Sequence, residues 1–171
     1  NVRAIVAAHA EIVRTAGEIA PLLLLVGDAK GDVFHSEVDA IRRAIDDAGT
    51  ASRVLLLGYV PDVELSALLS ASLALVLPSE SEGFGLPAIE AAACGTPVIA
   101  TLESPLPKLL DGGGVFTAPG DAGAIKEAMS RFLSDEAFRK ECADQALLCA
   151  RKLTWEASAQ ACLAAIRKAA A

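Results

Sequence analysis

Glu82 and Glu90 are separated by seven residues and joined through Gly83-Phe84-Gly85-Leu86-Pro87, in the stretch PSESEGFGLPAIEAAACGTPVIA (78–100). Two glycines without Cβ atoms let the chain take positive φ and let a ligand lie directly on the backbone. Pro87 suits the first turn of a following helix, where a missing N–H does no harm. The amides of Phe84, Gly85 and Leu86 are then free to donate to phosphate or sugar oxygens, aided by the positive end of the helix dipole. The pattern places Glu82 in the loop before this helix and Glu90 about one turn inside it, about 6 Å along the axis for four residues. Carboxylates at two depths can each accept from a polyhydroxylated ligand, and a vicinal diol offers two donors to one carboxylate. A sugar joined to a ribose through phosphates matches both features.

Each acid also has a plainer reading. Glu82 reads equally as a solvated loop acid, and Glu90 as the outer face of an amphipathic helix. Against the second, Glu90 lies among Ala88, Ile89, Ala91, Ala92, Ala93 and Cys94, with no Lys or Arg three or four residues away. The sequence therefore predicts a buried carboxylate, which is unfavourable until a ligand supplies its donor.

The apolar pattern sets out the elements that must hold these residues. Asn1 is expected to cap a helix with Val2, Ile5, Val6, Ile12 and Val13 at helical spacing and Gly17 as its stop. Pro21 precedes LLLLV (22–26), a short continuous apolar run that reads as a strand buried on both faces, hence a parallel sheet. A helix over 35–48, a strand at 53–58, a helix from Pro61-Asp62 to about Ser70 and a strand at 73–78 follow. The two-glutamate segment then supplies a helix and the strand 97–100. A turn around 105–110 leads to a strand at 114–117, and everything after Asp121 reads as helical, with Asp121, Asp135 and Thr154 as caps.

Strands alternating with helices predict an α/β fold: a Rossmann-like, doubly wound parallel sheet of about five or six strands with helices on both faces. In such sheets ligands sit outside the carboxyl ends of the strands. Gly27-Asp28, Gly58-Tyr59, Pro78–Glu82 and Thr101–Ser104 all follow strand ends, so four loops assemble the candidate site. Gly27 and Gly58 would admit a nucleotide, with Tyr59 and Val60 beside its base, although simple strand-ending turns explain the glycines too. Asp28 and Lys30 lie on the first of these loops.

Composition excludes several classes. The 171 residues fit one domain able to bury a core. The hydrophobic fraction is 53%, yet no run approaches the ~20 apolar residues of a membrane helix. No signal peptide is recognisable, so the expectation is a soluble, cytoplasmic protein. A net charge of −7 argues against nucleic acid as a partner. Cys94, Cys142, Cys149 and Cys162 form no CxxC pair and are expected as reduced, buried thiols; with only His9 and His35 beside them, no metal site is expected. There is no Walker motif, VGDAKG (26–31) is not a dinucleotide fingerprint, and Ser79 and Ser104 lie on no Gly-x-Ser-x-Gly elbow.

The segment ESEGFGLPAIEAAACGTPVIA resembles the Glu-x7-Glu motif of the GT-B-fold, retaining glycosyltransferases of family 4 (glycosyltransferase group 1). LLLLVGD, RVLLLGYVPDVELSALLSASLALVLPS and SPLPKLLDGGGVFTAPGDAGAIKEAM resemble successive segments of that family's C-terminal, nucleotide-sugar-binding domain, so nearly the whole chain is covered. The resemblance implies that Glu90 holds the donor ribose hydroxyls and that Glu82 lies by the transferred sugar and takes part in catalysis. The amides of Phe84, Gly85 and Leu86 would hold sugar or phosphate oxygens. It also implies a UDP-, GDP- or ADP-sugar donor, with GDP-mannose the working choice, and no metal cofactor.

Two departures stand out. The family's basic Arg/Lys pair, which clamps the diphosphate, belongs to a strand and turn upstream of the first helix. Lys108 stands where the family often has Glu, and reads either as a phosphate contact or as a solvated lysine. The chain matches one of the two domains of such enzymes, so the acceptor, a glycan or lipid, and any peripheral membrane association would depend on an N-terminal domain not present in it. The last helix, Thr154 to about Lys168, carries Trp155, Cys162, Leu163 and Ile166 either as a docking stripe or as part of the domain's own core. The alternative to a transferase is a nucleotide-binding module of the same fold that performs no transfer.

Overall fold

The computed structural model describes residues 1–27 and 35–170; Asp28 and Lys30 lie outside the described residues. The elements run α1 (Val2–Ala16), β1 (Leu23–Val26), α2 (His35–Asp47), β2 (Val54–Gly58), α3 (Asp62–Ala71), β3 (Leu75–Leu77) and α4 (Leu86–Ala93). Then come β4 (Val98–Thr101), α5 (Leu106–Leu109), β5 (Gly114–Thr117), α6 (Ala122–Ser134), α7 (Glu136–Ala150) and α8 (Trp155–Ala169). Gly17 ends α1 at φ 57, as expected, but Asn1 makes no side-chain capping bond. The other three caps form: Asp121 accepts from the Ala124 amide, Asp135 from Phe138 and Thr154 from Ala157.

All described strand pairs are parallel, in agreement with the expected class. Strand β4 shows why helices must cover both faces, because its side chains alternate between two cores. Val98 and Ala100 pack with Ala88, Ala91 and Ala92 of α4 and with Ala146 and Ala150 of α7. Ile99 packs with Ala8 and Ile12 of α1 and with Ile125 and Phe132 of α6. This is the period-two alternation of a strand buried on both faces. The small residues on α4 and α7 let these helices lie close together. Gly114 lets β5 approach β4, since a Cβ there would fall 2.1 Å from the Val98 carbonyl oxygen.

The sheet departs from expectation in being divided. Among the described residues β1 pairs with β2, and β3, β4 and β5 pair in that order, with no ladder joining β1 to β3. The first two strands are correspondingly less buried than a doubly covered sheet predicts: Val54 is buried, whereas Leu55, Leu56 and Leu57 are exposed. A third core, of Ile5 and Val6 from α1, Leu23, Ile45 of α2 and Val54, holds this pair.

Two further expectations are corrected. Only Cys142 of the four thiols is buried, packed with Phe132 and Ala128 of α6, and Cys162 is exposed because no residue of α8 is buried. No residue of α8 is buried; Trp155 is 89% exposed, so packing on the domain's own core is not what its apolar stripe does. No helix among the described residues is long and apolar enough to cross a membrane.

Candidate functional site

The loop after β3 is pinned at one point by the loop after β4. The Glu82 amide donates to the Glu103 carbonyl at 3.0 Å. Glu103 is itself held by Thr101 Oγ1, which accepts from its amide, and Ser104 Oγ donates back to the Thr101 carbonyl. Hydroxyl residues thus order a turn that the strand ladder no longer supports. Above it, Ser79 Oγ donates to Glu82 Oε1 at 2.6 Å, the short distance of a hydroxyl–carboxylate bond. Glu82 is half-buried and oriented, not a free loop acid.

Gly85 is the hinge between this loop and α4. It is buried, left-handed at φ 80 and ψ 48, and is the N-cap residue of the helix, with Pro87 in the first turn. A Cβ at this position would fall 2.7 Å from Leu106 Cδ1, and Leu106 is fully buried under α4. Both backbone sign and space therefore require glycine. Its carbonyl accepts from Ala88 and Ile89, which starts the helix. Among the described residues the amides of Phe84, Gly85 and Leu86 donate to nothing, while the side chains of Phe84 and Leu86 are exposed. Three adjacent unpaired donors at a helix start, beside an oriented carboxylate, are suited to binding oxygen atoms of an anionic or hydroxylated ligand.

Glu90 corrects the sequence reading. Its neighbours Ala88, Ile89, Ala91 and Ala92 are buried, but Glu90 itself is exposed. Its lack of a basic partner is therefore no burden on the folded chain. What the fold does provide is a position: Glu90 lines the same cavity, of about 1460 Å³, as Gly27, Gly58, Tyr59, Ser79 and Pro87. The Gly27 amide donates to the Gly58 carbonyl at 2.9 Å, so the ends of β1 and β2 reach this cavity together. Tyr59 is exposed, and Val60 is half-buried and not part of the cavity wall. Glu82, Phe84, Gly85 and Leu86 form a second group, on the loop that enters α4. Lys108 is exposed on α5. His9 is buried, with its ring Nε2 bonded to the Pro21 carbonyl, as suits neither a base nor a ligand at the loops.

Ser79 is the residue that sequence reasoning missed. It was tested there only as a nucleophile, whereas its spacing of three from Glu82 within one loop was the available signal for a hydroxyl that orients a carboxylate.

A family model described as glycosyl transferases group 1 matches residues 6–148, which include both glutamates and every loop of the cavity rim. The chain belongs to the glycosyl transferases group 1 family. Its relatives include the O-antigen chain mannosyltransferase B of Escherichia coli, 33% identical over 120 residues that make up 70% of this chain and 32% of that protein. Among solved structures, a sucrose-phosphate synthase from Thermosynechococcus elongatus superposes with a TM-score of 0.83 at 31% identity, over 99% of this chain and 43% of the other. The Anabaena protein HepE in complex with UDP-glucose matches with a TM-score of 0.77 at 25% identity, over 87% of this chain and 40% of that one. The α/β architecture is thus that of the C-terminal, Rossmann-like half of the GT-B glycosyltransferases. The chain spans about a third of the length of that mannosyltransferase and of a D-inositol 3-phosphate glycosyltransferase of Corynebacterium jeikeium, and 15% of a longer mannosyltransferase of Escherichia coli.

Proposed function

We propose that these residues are the donor-binding half of a retaining hexosyltransferase that moves a sugar from a nucleotide sugar to a hydroxyl of a glycan or lipid. The observation that carries the reading is the trio of unpaired amides at Phe84, Gly85 and Leu86, set beside a carboxylate held by Ser79. In the transfer, the bond from the anomeric carbon to the diphosphate oxygen breaks, the acceptor oxygen bonds to the same face of the sugar, and its hydroxyl proton passes to the departing nucleoside diphosphate. Glu82 stabilises the positive charge that develops at the anomeric carbon, and the amides hold sugar hydroxyls or the departing phosphate. Glu90 accepts from the ribose diol at the cavity rim, with Gly27 and Gly58 leaving room for the nucleoside and Tyr59 and Val60 beside the base.

Two similar proteins support the choice of donors to test: one is named a mannosyltransferase, and another was solved in complex with UDP-glucose. GDP-mannose and UDP-glucose are accordingly the first two donors to compare. The reaction is proposed to need no metal, to take place in the cytoplasm and to draw its acceptor site from a second domain.

Calorimetric titration with UDP, GDP and ADP tests the reading. Saturable binding of one nucleotide, unchanged by EDTA and weakened about tenfold or more in Glu90→Ala, is the expected result, the loss being that of a charged hydrogen bond. Absence of binding in a two-domain form that includes the upstream region of the family would overturn it.

A further inference from the structure

Ser104 lies on no nucleophile elbow, but its hydroxyl is engaged in both directions. Oγ donates to the Thr101 carbonyl at 2.8 Å and accepts from the Leu106 amide at 3.3 Å. A serine hydroxyl has one proton, so its donor is used within the chain and none is left for a ligand. The two residues that it joins support different parts of the candidate site. Leu106 is fully buried beneath Gly85, where a Cβ on that glycine would fall 2.7 Å from its Cδ1. It is the floor under the amides of Phe84, Gly85 and Leu86. Thr101 is also fully buried, and its Oγ1 accepts from the Glu103 amide at 3.2 Å. The Glu103 carbonyl in turn accepts from the Glu82 amide at 3.0 Å, so Thr101 sets the level of the backbone that carries the carboxylate.

The loop 79–86 thus rests on the segment 101–106 at two points, one beneath its amides and one beside its carboxylate. The ends of that segment are held by different parts of the fold. Thr101 closes β4 and pairs with Thr117 of β5, and the Leu102 amide donates to the Thr117 carbonyl at 2.9 Å. Leu106 is held instead in the core beneath α4. Glu103, Ser104 and Pro105 between them belong to no helix or strand, and the Ser104 hydroxyl ties one end to the other across them. Starting the one-turn α5 would account for the Leu106 bond alone. It does not account for a hydroxyl that also closes on Thr101, the residue that holds Glu103. Ser79 fixes the rotation of the Glu82 carboxylate, but it lies within the same loop and sets no distance to the segment beneath.

We propose that Ser104 is a positioning residue for the transfer site: its hydroxyl fixes the distance between the Glu82 carboxylate and the amides of Phe84, Gly85 and Leu86, and so fits the loop to the sugar of the donor rather than to its nucleoside. The inference rests on the donor reading above. Groups that share one sugar are sensitive to such spacing, since a misplacement of about 1 Å lowers a rate about 10²-fold.

Three variants separate the bonds. Ser104→Ala removes both, Ser104→Thr keeps both, and Thr101→Val removes only the acceptor for Glu103. Amide exchange by NMR at Glu82 and Leu106 reads the two points of support. Exchange faster by about fivefold or more is expected at both in Ser104→Ala, at Glu82 alone in Thr101→Val and at neither in Ser104→Thr. Ligand-observed NMR titration of the two-domain form with UMP, GMP, UDP-glucose and GDP-mannose reads the consequence. The nucleotide sugar that the unaltered protein binds should weaken about fivefold or more in Ser104→Ala and recover in Ser104→Thr, while the matching monophosphate, held at Glu90 and the cavity rim, changes less than about twofold. Unchanged exchange at Glu82 in Ser104→Ala would overturn the proposal. Equal losses of monophosphate and nucleotide sugar would also overturn it, because they mark a role in folding only. Monophosphate binding with no gain from either sugar refutes the positioning role and leaves the nucleotide site standing, whereas binding of none of the four removes the donor reading as well.

Discussion

Replacing Gly85 by alanine isolates the junction on which the proposed donor site depends. The residue sits at φ 80, and the new Cβ would meet Leu106 Cδ1 at 2.7 Å and its Cδ2 and Cγ at 2.9 Å. Leu106 cannot swing clear, because it is fully buried in the core shared by α4, β4 and α7. The left-handed conformation costs about 1–2 kcal/mol for an L-residue, and overpacking a filled core about 1–3 kcal/mol more. The stiffer unfolded chain returns about 0.4–1 kcal/mol. A net loss of about 1–5 kcal/mol, centred near ~3, follows, to be read as a shift of the urea midpoint at constant slope. Gly120→Ala serves as the comparison, since Gly120 has φ +71 but its nearest neighbour to a Cβ is 3.6 Å away. Only the backbone contribution applies there, so the loss should be about 1 kcal/mol or less. Adding Leu106→Ala to Gly85→Ala should cost less than the sum of the two single changes, because the clashing atoms are gone. Equal losses at Gly85 and Gly120, or strict additivity with Leu106→Ala, would refute the steric argument.

Other outcomes are open to equally direct measurement. Gly114→Ala places a Cβ 2.1 Å from the Val98 carbonyl oxygen, against backbone that cannot move without breaking the β4–β5 ladder; loss of cooperative unfolding by circular dichroism is expected. Asp121→Ala and Asp135→Ala each remove a side-chain acceptor from a helix start and should lower stability by about 1 kcal/mol in denaturant titration. Burial, reinforced by the Glu141 carboxylate and opposed by Arg131, pushes the Cys142 thiol up from its ordinary value. A group whose folded pKa is raised contributes fully below its unfolded pKa, so stability should fall as pH climbs above about 8.5. Cys142→Ala should flatten that slope, and iodoacetamide mapping should find Cys162 modified well before Cys142.

Much of this protein was legible in its linear order because the relevant physics is local. Gly17 as a stop, the hydroxyl and carboxylate caps at Asp121, Asp135 and Thr154, and the strand–helix alternation each depend on a few neighbouring residues. The Gly-rich entry to α4 was legible for the same reason: Gly85 and Pro87 constrain φ and donors whatever lies around them. The segment from Glu82 to Glu90 likewise carried the family in residue types and spacing alone.

What depended on distant residues needed the tertiary structure. The apolar neighbours of Glu90 suggested burial, yet a helix buries a stripe, and only the packing of α4 on α7 and β4 decided that Glu90 lies off it. Ser79 gained its role because the Glu103 carbonyl pins the Glu82 amide from another loop. Trp155 and Ile166 could be assigned to neither core nor surface until α8 had a place, and that place is outside. The division of the sheet between β1 and β3 is the clearest case. Each strand's composition specifies a buried strand, but which edges meet is a property of the whole sheet, and an edge without a neighbour leaves no mark on the residues that form it.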